Sequence, residues 1–284
     1  MRLMHKRVNR SAAGDIGIFL VLLILGAFMV IPLIFVVGNA FKPLDEIWVF
    51  PPRIIPRNPT LKNFRDMFTI MTNSLVPFSR YFMNTIMITV IGTFGNIICV
   101  SMCAYTLAKK QLVINRVYFK IIVTSLMFSS AVTTIPNYLI MAQLGWINSN
   151  LSIIIPTFAT PLGLYLMKQF MEQLPDSLIE SAKIDGASET HILWRIVMPI
   201  VKPAWLTLII FSVQSLWGLD SSMYIYTEDK KTLSYALGQI TSAGIARAGV
   251  GGAVSLFMLL IPVAIFIITQ SNIMQTMATS GMKE

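Results

Sequence analysis

Side chains able to make or break bonds are sparse in this 284-residue chain. Its two histidines, His5 and His191, lie in basic segments with no second ligand set around them, so no metal site is predicted. Cys99 and Cys103 sit four apart on one face of an apolar helical run, a spacing that suits packing rather than a disulfide. The acidic residues Asp45, Glu46, Asp220, Glu228 and Asp229 form no paired motif of the kind a membrane transferase needs. No Gly-x-x-x-x-Gly-Lys-Ser/Thr stretch is present, so the chain has no phosphate-cradling loop and cannot hydrolyse ATP alone. What remains is a polar run, Glu180 to Pro203, between long apolar stretches. Its chemistry is that of contact. Glu180 offers a carboxylate to a partner's arginine or lysine, and small Ala182 and Ala187 allow close approach.

Local signals position that run. Pro175 suits the first turn of a helix, where its missing N–H costs nothing, and Asp176 favours the positive helix end. The pattern continues through Leu178, Ile179 and Ala182 to Asp185, and Gly186 can stop it with a left-handed cap. Ser188 can cap a second helix carrying Ile192, Leu193, Ile196 and Val197, before Pro199 and Pro203 redirect the chain. From the residues alone, the loop 172–203 is either a docking surface or a connector. Connectors are usually shorter and lack two capped helices.

The elements around it are set by composition. Hydrophobic residues make up 55% and charged residues 12%, with a mean hydropathy of +0.70. Soluble domains carry about 25% charge, so this is an integral membrane protein, predicted all-α. Six apolar segments are long enough to span: about 16–37, 82–107, 117–141, 151–171, 204–219 and 251–270. The first follows a basic start but offers no small-residue cleavage site, and reads as a retained anchor. The net charge of +9 comes from lysines and arginines scattered beside the spans, which fits membrane orientation rather than nucleic-acid binding. Thirteen of the 22 lie inside if the N-terminus is cytoplasmic, and six of the others fall in the long loop 38–81, where charge counts for less. Both termini are therefore predicted cytoplasmic.

The outer loops differ. Residues 38–81 are rich in proline and contain a predicted amphipathic helix, with Thr60 as N-cap and Leu61, Phe64 and Phe68 on one face. The loop 220–250 carries Tyr224, Tyr226, Glu228, Asp229, Lys230 and Lys231, and is the natural meeting place for an outside partner or a sugar-like ligand. Polar and aromatic groups within or beside spans are candidates for a translocation path: Asn84, Ser130, Thr133, Asn137, Gln214, Trp217 and Tyr224. Helix–helix packing and the aromatic belt are the competing readings for these residues. No span carries a deep lysine, arginine, aspartate or glutamate, which argues against an ion-coupled carrier and for energy supplied from elsewhere.

Glu180-Ser181-Ala182-x-x-Asp185-Gly186-Ala187, followed by Ile196-x-x-Pro199 and Pro203, resembles the EAA loop of ABC importer membrane subunits. Ser181 departs from the usual second alanine, and Met198 from the usual leucine. Further segments resemble carbohydrate-uptake permeases, specifically the smaller membrane subunit of maltose-type transporters. They are Asn39-Ala-Phe-Lys, Arg80-Tyr-x-x-Asn84-Thr85, Ile135-Pro-Asn-Tyr138, Leu144-Gly-Trp-x-Asn-Ser149 and the ending Met277 to Lys283. The resemblance implies a type I ABC importer fold with a coupling helix between spans 4 and 5, docked on an ATPase through Glu180, Ser181, Ala182, Asp185, Gly186, Ala187 and Pro199. It also implies a second homologous permease, two ATPase subunits that hold ATP and Mg, and an extracytoplasmic solute-binding protein. The setting would be a bacterial cytoplasmic membrane and its lipid. This chain would bind no cofactor itself. The substrate expected is a sugar, an oligosaccharide by resemblance; a non-sugar solute and a membrane transferase are the alternatives. The stretch Gln214 to Tyr226 lacks the Trp-Asn pair of many relatives, so their path contacts do not transfer.

Overall fold

The computed structural model describes residues 12–72, 76–110, 114–242 and 244–280. His5, the basic residues before position 12 and the last residues of the C-terminal run lie outside them. Every regular element among the described residues is helical. Besides two 3-10 turns, Glu228–Lys230 and Ile245–Arg247, they are in chain order α1 (Ala12–Phe41), α2 (Leu44–Ile47), α3 (Lys62–Thr72), α4 (Phe78–Lys109), α5 (Asn115–Ser125) and α6 (Ser130–Gln143). There follow α7 (Leu151–Thr157), α8 (Pro161–Glu172), α9 (Asp176–Ile184), α10 (Glu189–Ile200), α11 (Lys202–Trp217), α12 (Leu233–Thr241) and α13 (Ala248–Ser280).

Four helical stretches are long and apolar enough to cross a membrane: Gly14–Phe41, Phe78–Lys109, Leu151–Glu172 and Ala248–Gln270. Two bent pairs raise the number to six if each is one span. The segment expected as a continuous third span, 117–141, is instead α5 and α6, which turn by 112° across residues 126–129. Ser130 therefore opens a helix rather than sitting in mid-span. The expected fifth span, 204–219, is the 16-residue α11, about 24 Å long. It reaches spanning length only together with α10, from which it bends by 83° at Val201. The fourth is interrupted between α7 and α8, because Pro161 holds Thr160 in the extended region.

The chain falls into two compact units, 1–69 with 240–256, and 70–239 with 257–284. In the first, the loop after α1 is tied by buried polar groups. Asn63 donates to the carbonyls of Ala40 (3.0 Å) and Lys42 (2.7 Å). Lys42 is buried; its ammonium donates to Asn39 Oδ1 at 2.7 Å and to the Arg53 carbonyl, and lies 4.9 Å from the Phe35 ring centre. Glu46 accepts from the Arg57 N–H at 2.6 Å, which lowers its carboxyl pKa. Thr60, expected as the N-cap of α3, stands one residue ahead of it: the Leu61 carbonyl takes the first helical bonds, and Thr60 Oγ1 accepts from the Lys62 N–H at 3.1 Å. The apolar face of α3 is turned from the expected one. Asn63 and Met67 are buried and Phe64 packs on Phe41, whereas Leu61 is 70% exposed. The hydrogen bonds of Asn63 set that rotation, because a buried amide must find acceptors. Replacing it, Asn63→Leu, leaves two carbonyls unpaired at about 1–3 kcal/mol each. A lower midpoint in thermal unfolding of the purified chain is the expected outcome.

The second unit is built around α4, which packs on α7, α8 and α11. Asn96 is fully buried at the centre. It donates to the Thr157 carbonyl (2.6 Å) and Thr160 Oγ1 (2.8 Å), and accepts from Ser212 Oγ (3.3 Å). Gly95 lets Phe158 lie directly on the helix backbone; a Cβ there would come within 2.0 Å of Phe158 Cε1.

Candidate functional site

The polar run folds as its local signals predict, with one shift. Pro175 is the residue before α9, in extended conformation, rather than its first helical residue. Asp176 occupies the first turn. Gly186 has φ +80, and the paired bonds Ala187 N–H to Ala182 O and Gly186 N–H to Lys183 O, both 3.0 Å, close a Schellman cap. Gly186→Ala is expected to cost about 1–2 kcal/mol by forcing a Cβ into the left-handed region. Faster amide exchange at residues 182–187 would report it.

Ser188 Oγ accepts from the His191 N–H at 3.3 Å and starts α10. Residues Ile192–Val197 widen into a π turn, with the Met198 N–H bonded to Leu193 O. Pro199 has no N–H to continue the α ladder, which favours that widening. Trp205 Nε1 reaches back to the Met198 carbonyl at 3.0 Å and satisfies it at the bend.

Packing decides which face is offered. Ile179, Ala182, Ile192, Leu193, Val197 and Met198 are buried against Val100, Ala104 and Tyr105 of α4 and Met167 and Met171 of α8. The opposite face of α9 carries Glu180, Ser181, Ile184 and Asp185, all exposed. Ile184 is 86% exposed at the tip of α9, beside the glycine cap. The sequence reading passed over it, although an isoleucine beside Asp-Gly at a helix end is a detectable signal. Of the other loop residues, Ala182 is buried, Ala187 is half-buried, and Gly186 and Pro199 are exposed.

Glu189 is a second residue that sequence reasoning missed. Its carboxylate accepts from Lys110 Nζ (2.5 Å), Tyr105 OH (2.9 Å) and Lys183 Nζ (3.3 Å). The Lys110 ammonium first, then the Tyr105 hydroxyl, holds its pKa down at about 2. A depressed carboxyl contributes fully above its ordinary range, so this joint persists until pH falls through about 2. Lys109 reaches the Leu174 carbonyl (2.5 Å) and the Asp176 carboxylate (2.7 Å).

At the opposite end of α4, Asn84 is buried and donates to the carbonyls of Asp229 (2.8 Å) and Lys231 (3.1 Å). Trp217 is also buried. Its N–H donates to the Met258 carbonyl at 3.0 Å, and its ring meets Phe82 edge-on. Both candidates are thus engaged within the chain. Ser130, Asn137 and Gln214 are exposed, and Thr133 is half-buried with its hydroxyl on the Ser130 carbonyl. The Tyr224 ring lies tilted by 30° against Tyr138, with centres 6.2 Å apart, and the Tyr138 hydroxyl lies 2.7 Å from that of Tyr226.

An apolar groove of about 930 Å³ runs along α4, α11 and α13, lined by Thr89, Thr93, Phe94, Trp205, Ile209 and Ile261 among others. The hydroxyls of Thr89 and Thr93 are buried there without a hydrogen-bond partner. Among the described residues, no group of three or more His, Cys, Asp or Glu could hold a metal ion.

Comparison with known proteins agrees with this architecture. Residues 17–279 match the family described as binding-protein-dependent transport system inner membrane component. The chain is 31% identical to Protein LplC of Bacillus subtilis (strain 168) over 76% of its own length and 72% of that protein's. It is 29% identical to the polygalacturonan/rhamnogalacturonan transport system permease protein YtcP of the same organism, over 85% and 82%. Its fold matches a chain in the crystal structure of a bacterial ABC transporter involved in import of the acidic polysaccharide alginate. The TM-score is 0.77 at 22% identity, over 93% of this chain and 99% of that one. The chain therefore belongs to the binding-protein-dependent transport system inner membrane components, the multi-pass membrane permeases of ABC transporters.

Proposed function

We propose that this chain is a single permease domain of an ATP-driven importer, moving an oligosaccharide that an extracytoplasmic binding protein delivers. The observation that carries this reading is the exposed face of α9. Glu180, Ile184 and Asp185 point away from a loop whose other face is buried in the bundle. A charged and apolar face held rigidly on capped helices suits docking on a cytoplasmic ATPase. Glu180, Ser181, Ala182, Asp185, Gly186, Ala187 and Pro199 form the coupling segment, and two ATPase subunits supply ATP and Mg.

The groove with its two unpartnered hydroxyls supports pairing with a second, homologous permease. The chain crosses a bacterial cytoplasmic membrane six times, counting each bent pair as one span. The distribution of basic residues supports cytoplasmic termini. Ser130, Thr133, Asn137, Gln214 and Tyr224 remain the path candidates, since their polar groups are not enclosed by the bundle. The sugar assignment is supported by the similarity to YtcP, which its name places in polygalacturonan and rhamnogalacturonan transport.

The test is ATPase activity of the reconstituted complex with its binding protein, over a panel of neutral and acidic oligosaccharides. At least a fivefold stimulation by one sugar class is expected. Failure of any ATPase to copurify, or no response to any sugar, defeats the proposal.

A further inference from the structure

The loop 172–203 and the segment 228–233 are held by opposite ends of one helix. α4 has 32 residues and is about 48 Å long. Its last turn grips both helices of the loop separately. Lys109 binds the start of α9 through Asp176 and the Leu174 carbonyl, and Tyr105 with Lys110 binds the start of α10 through Glu189. Its first turns grip the other segment. Tyr81 donates to the Glu228 carboxylate at 2.9 Å, Asn84 holds the carbonyls of Asp229 and Lys231, and Thr85 Oγ1 accepts from the Leu233 N–H at 2.8 Å. Between the two grips Asn96 and Gly95 fix α4 to its neighbours, so it cannot slide by itself.

The covalent route between the same two places is different. It breaks at Val201, where α10 and α11 meet at 83°, and again in the turns of residues 218–227. Such breaks absorb a displacement, whereas a continuous hydrogen-bonded helix passes it on.

We propose that α4 is the strut that carries a displacement of the docking loop to the segment 228–233, with Glu189 as the positioning residue of its lower joint. This rests on the docking reading of the loop. The loop's stability comes from its apolar core rather than from this carboxylate, whose side chain is 43% exposed. Half-exposed ion pairs contribute little to stability. What Glu189 provides is direction: Tyr105 of α4, Lys110 just past its end and Lys183 of α9 converge on one carboxylate and fix the start of α10.

The experiment uses the whole complex in nanodiscs, in a Cys99→Ser, Cys103→Ser background with Tyr226→Cys carrying an environment-sensitive fluorophore. Tyr226 is 58% exposed and two residues before the gripped segment. Mg·ATP with vanadate traps the ATPases closed. The parent is expected to show a spectral shift on trapping, and Glu189→Gln combined with Tyr105→Phe is expected to reduce it at least fivefold. ATPase subunits should still copurify and hydrolyse ATP in that variant. The swap Glu189→Lys with Lys110→Glu is expected to restore at least half the shift.

A full shift in the Glu189→Gln, Tyr105→Phe variant overturns the strut, as does loss of the ATPases from it, or no shift in the parent. An assembled swap variant that restores nothing also overturns it. Absence of any ATPase from the parent complex would instead defeat the docking reading itself.

Discussion

Glu180→Lys is expected to strip the ATPase subunits from the purified complex while leaving the permease folded. Glu180 lies on the exposed face of α9, and the residues of its buried stripe, Ile179 and Ala182, stay untouched. Glutamate and lysine have nearly equal helix propensities, so the helix itself loses little. A docking carboxylate replaced by a cation leaves its basic partner unpaired and repelled. Removing one member of such a pair costs about 2–5 kcal/mol, or roughly 30-fold or more in affinity.

Ile184→Asp provides an independent check on the same face. At 86% exposure this isoleucine adds nothing to the chain's own core, yet burying it in a partner would contribute about 1.5–3 kcal/mol. Both variants are expected to retain the thermal midpoint of the native permease and to lose ATPase on size-exclusion chromatography. Native stoichiometry in both would mean that α9 does not dock.

Gly95→Leu is expected to have the opposite phenotype, a permease that fails before any partner is involved. The Phe158 ring occupies the space where a side chain would begin. Apolar contact with lipid is as good as contact with another helix, so close backbone approach and interhelical hydrogen bonds must hold the bundle together. Moving α4 off Phe158 would also stretch the neighbouring bonds of Asn96 to Thr157 and Thr160. Overpacking costs about 1–3 kcal/mol, and the lost amide bonds add to it. The measurement is the yield of monodisperse permease and its unfolding midpoint in detergent. Adding Phe158→Ala should recover part of the loss, because the two changes are coupled through one contact. Strict additivity of the two variants would show that the ring is not what Gly95 accommodates.

The features legible from sequence share a short range. Gly186 and Ser188 declared their caps because a left-handed residue and an N-cap hydroxyl act within four residues. Low charge and long apolar runs declared membrane helices because burial in lipid acts on every residue of a span at once. The bend between α5 and α6 was not legible, since residues 126–129 contain neither glycine nor proline and Leu126, Met127 and Phe128 continue the apolar run up to Ser129. Asn84 and Trp217 were singled out for being polar or aromatic within apolar segments, which is a real signal of constraint. It did not reveal the source of the constraint, a loop carbonyl for one and a neighbouring helix carbonyl for the other.

By itself, then, the sequence determined the membrane class, the approximate apolar segments and the helix–glycine–helix shape of the polar loop, all of which are sums of local preferences. Only the tertiary structure decided which face of α9 is left outside, that Glu189 ties the loop to α4, and that Gly95 is a contact surface. Those facts depend on partners far along the chain: Tyr105 and Lys110 lie 84 and 79 residues from Glu189, and the ring against Gly95 belongs to Phe158. A side chain's meaning in a bundle is set by what packing brings opposite it, and no neighbour along the chain encodes that.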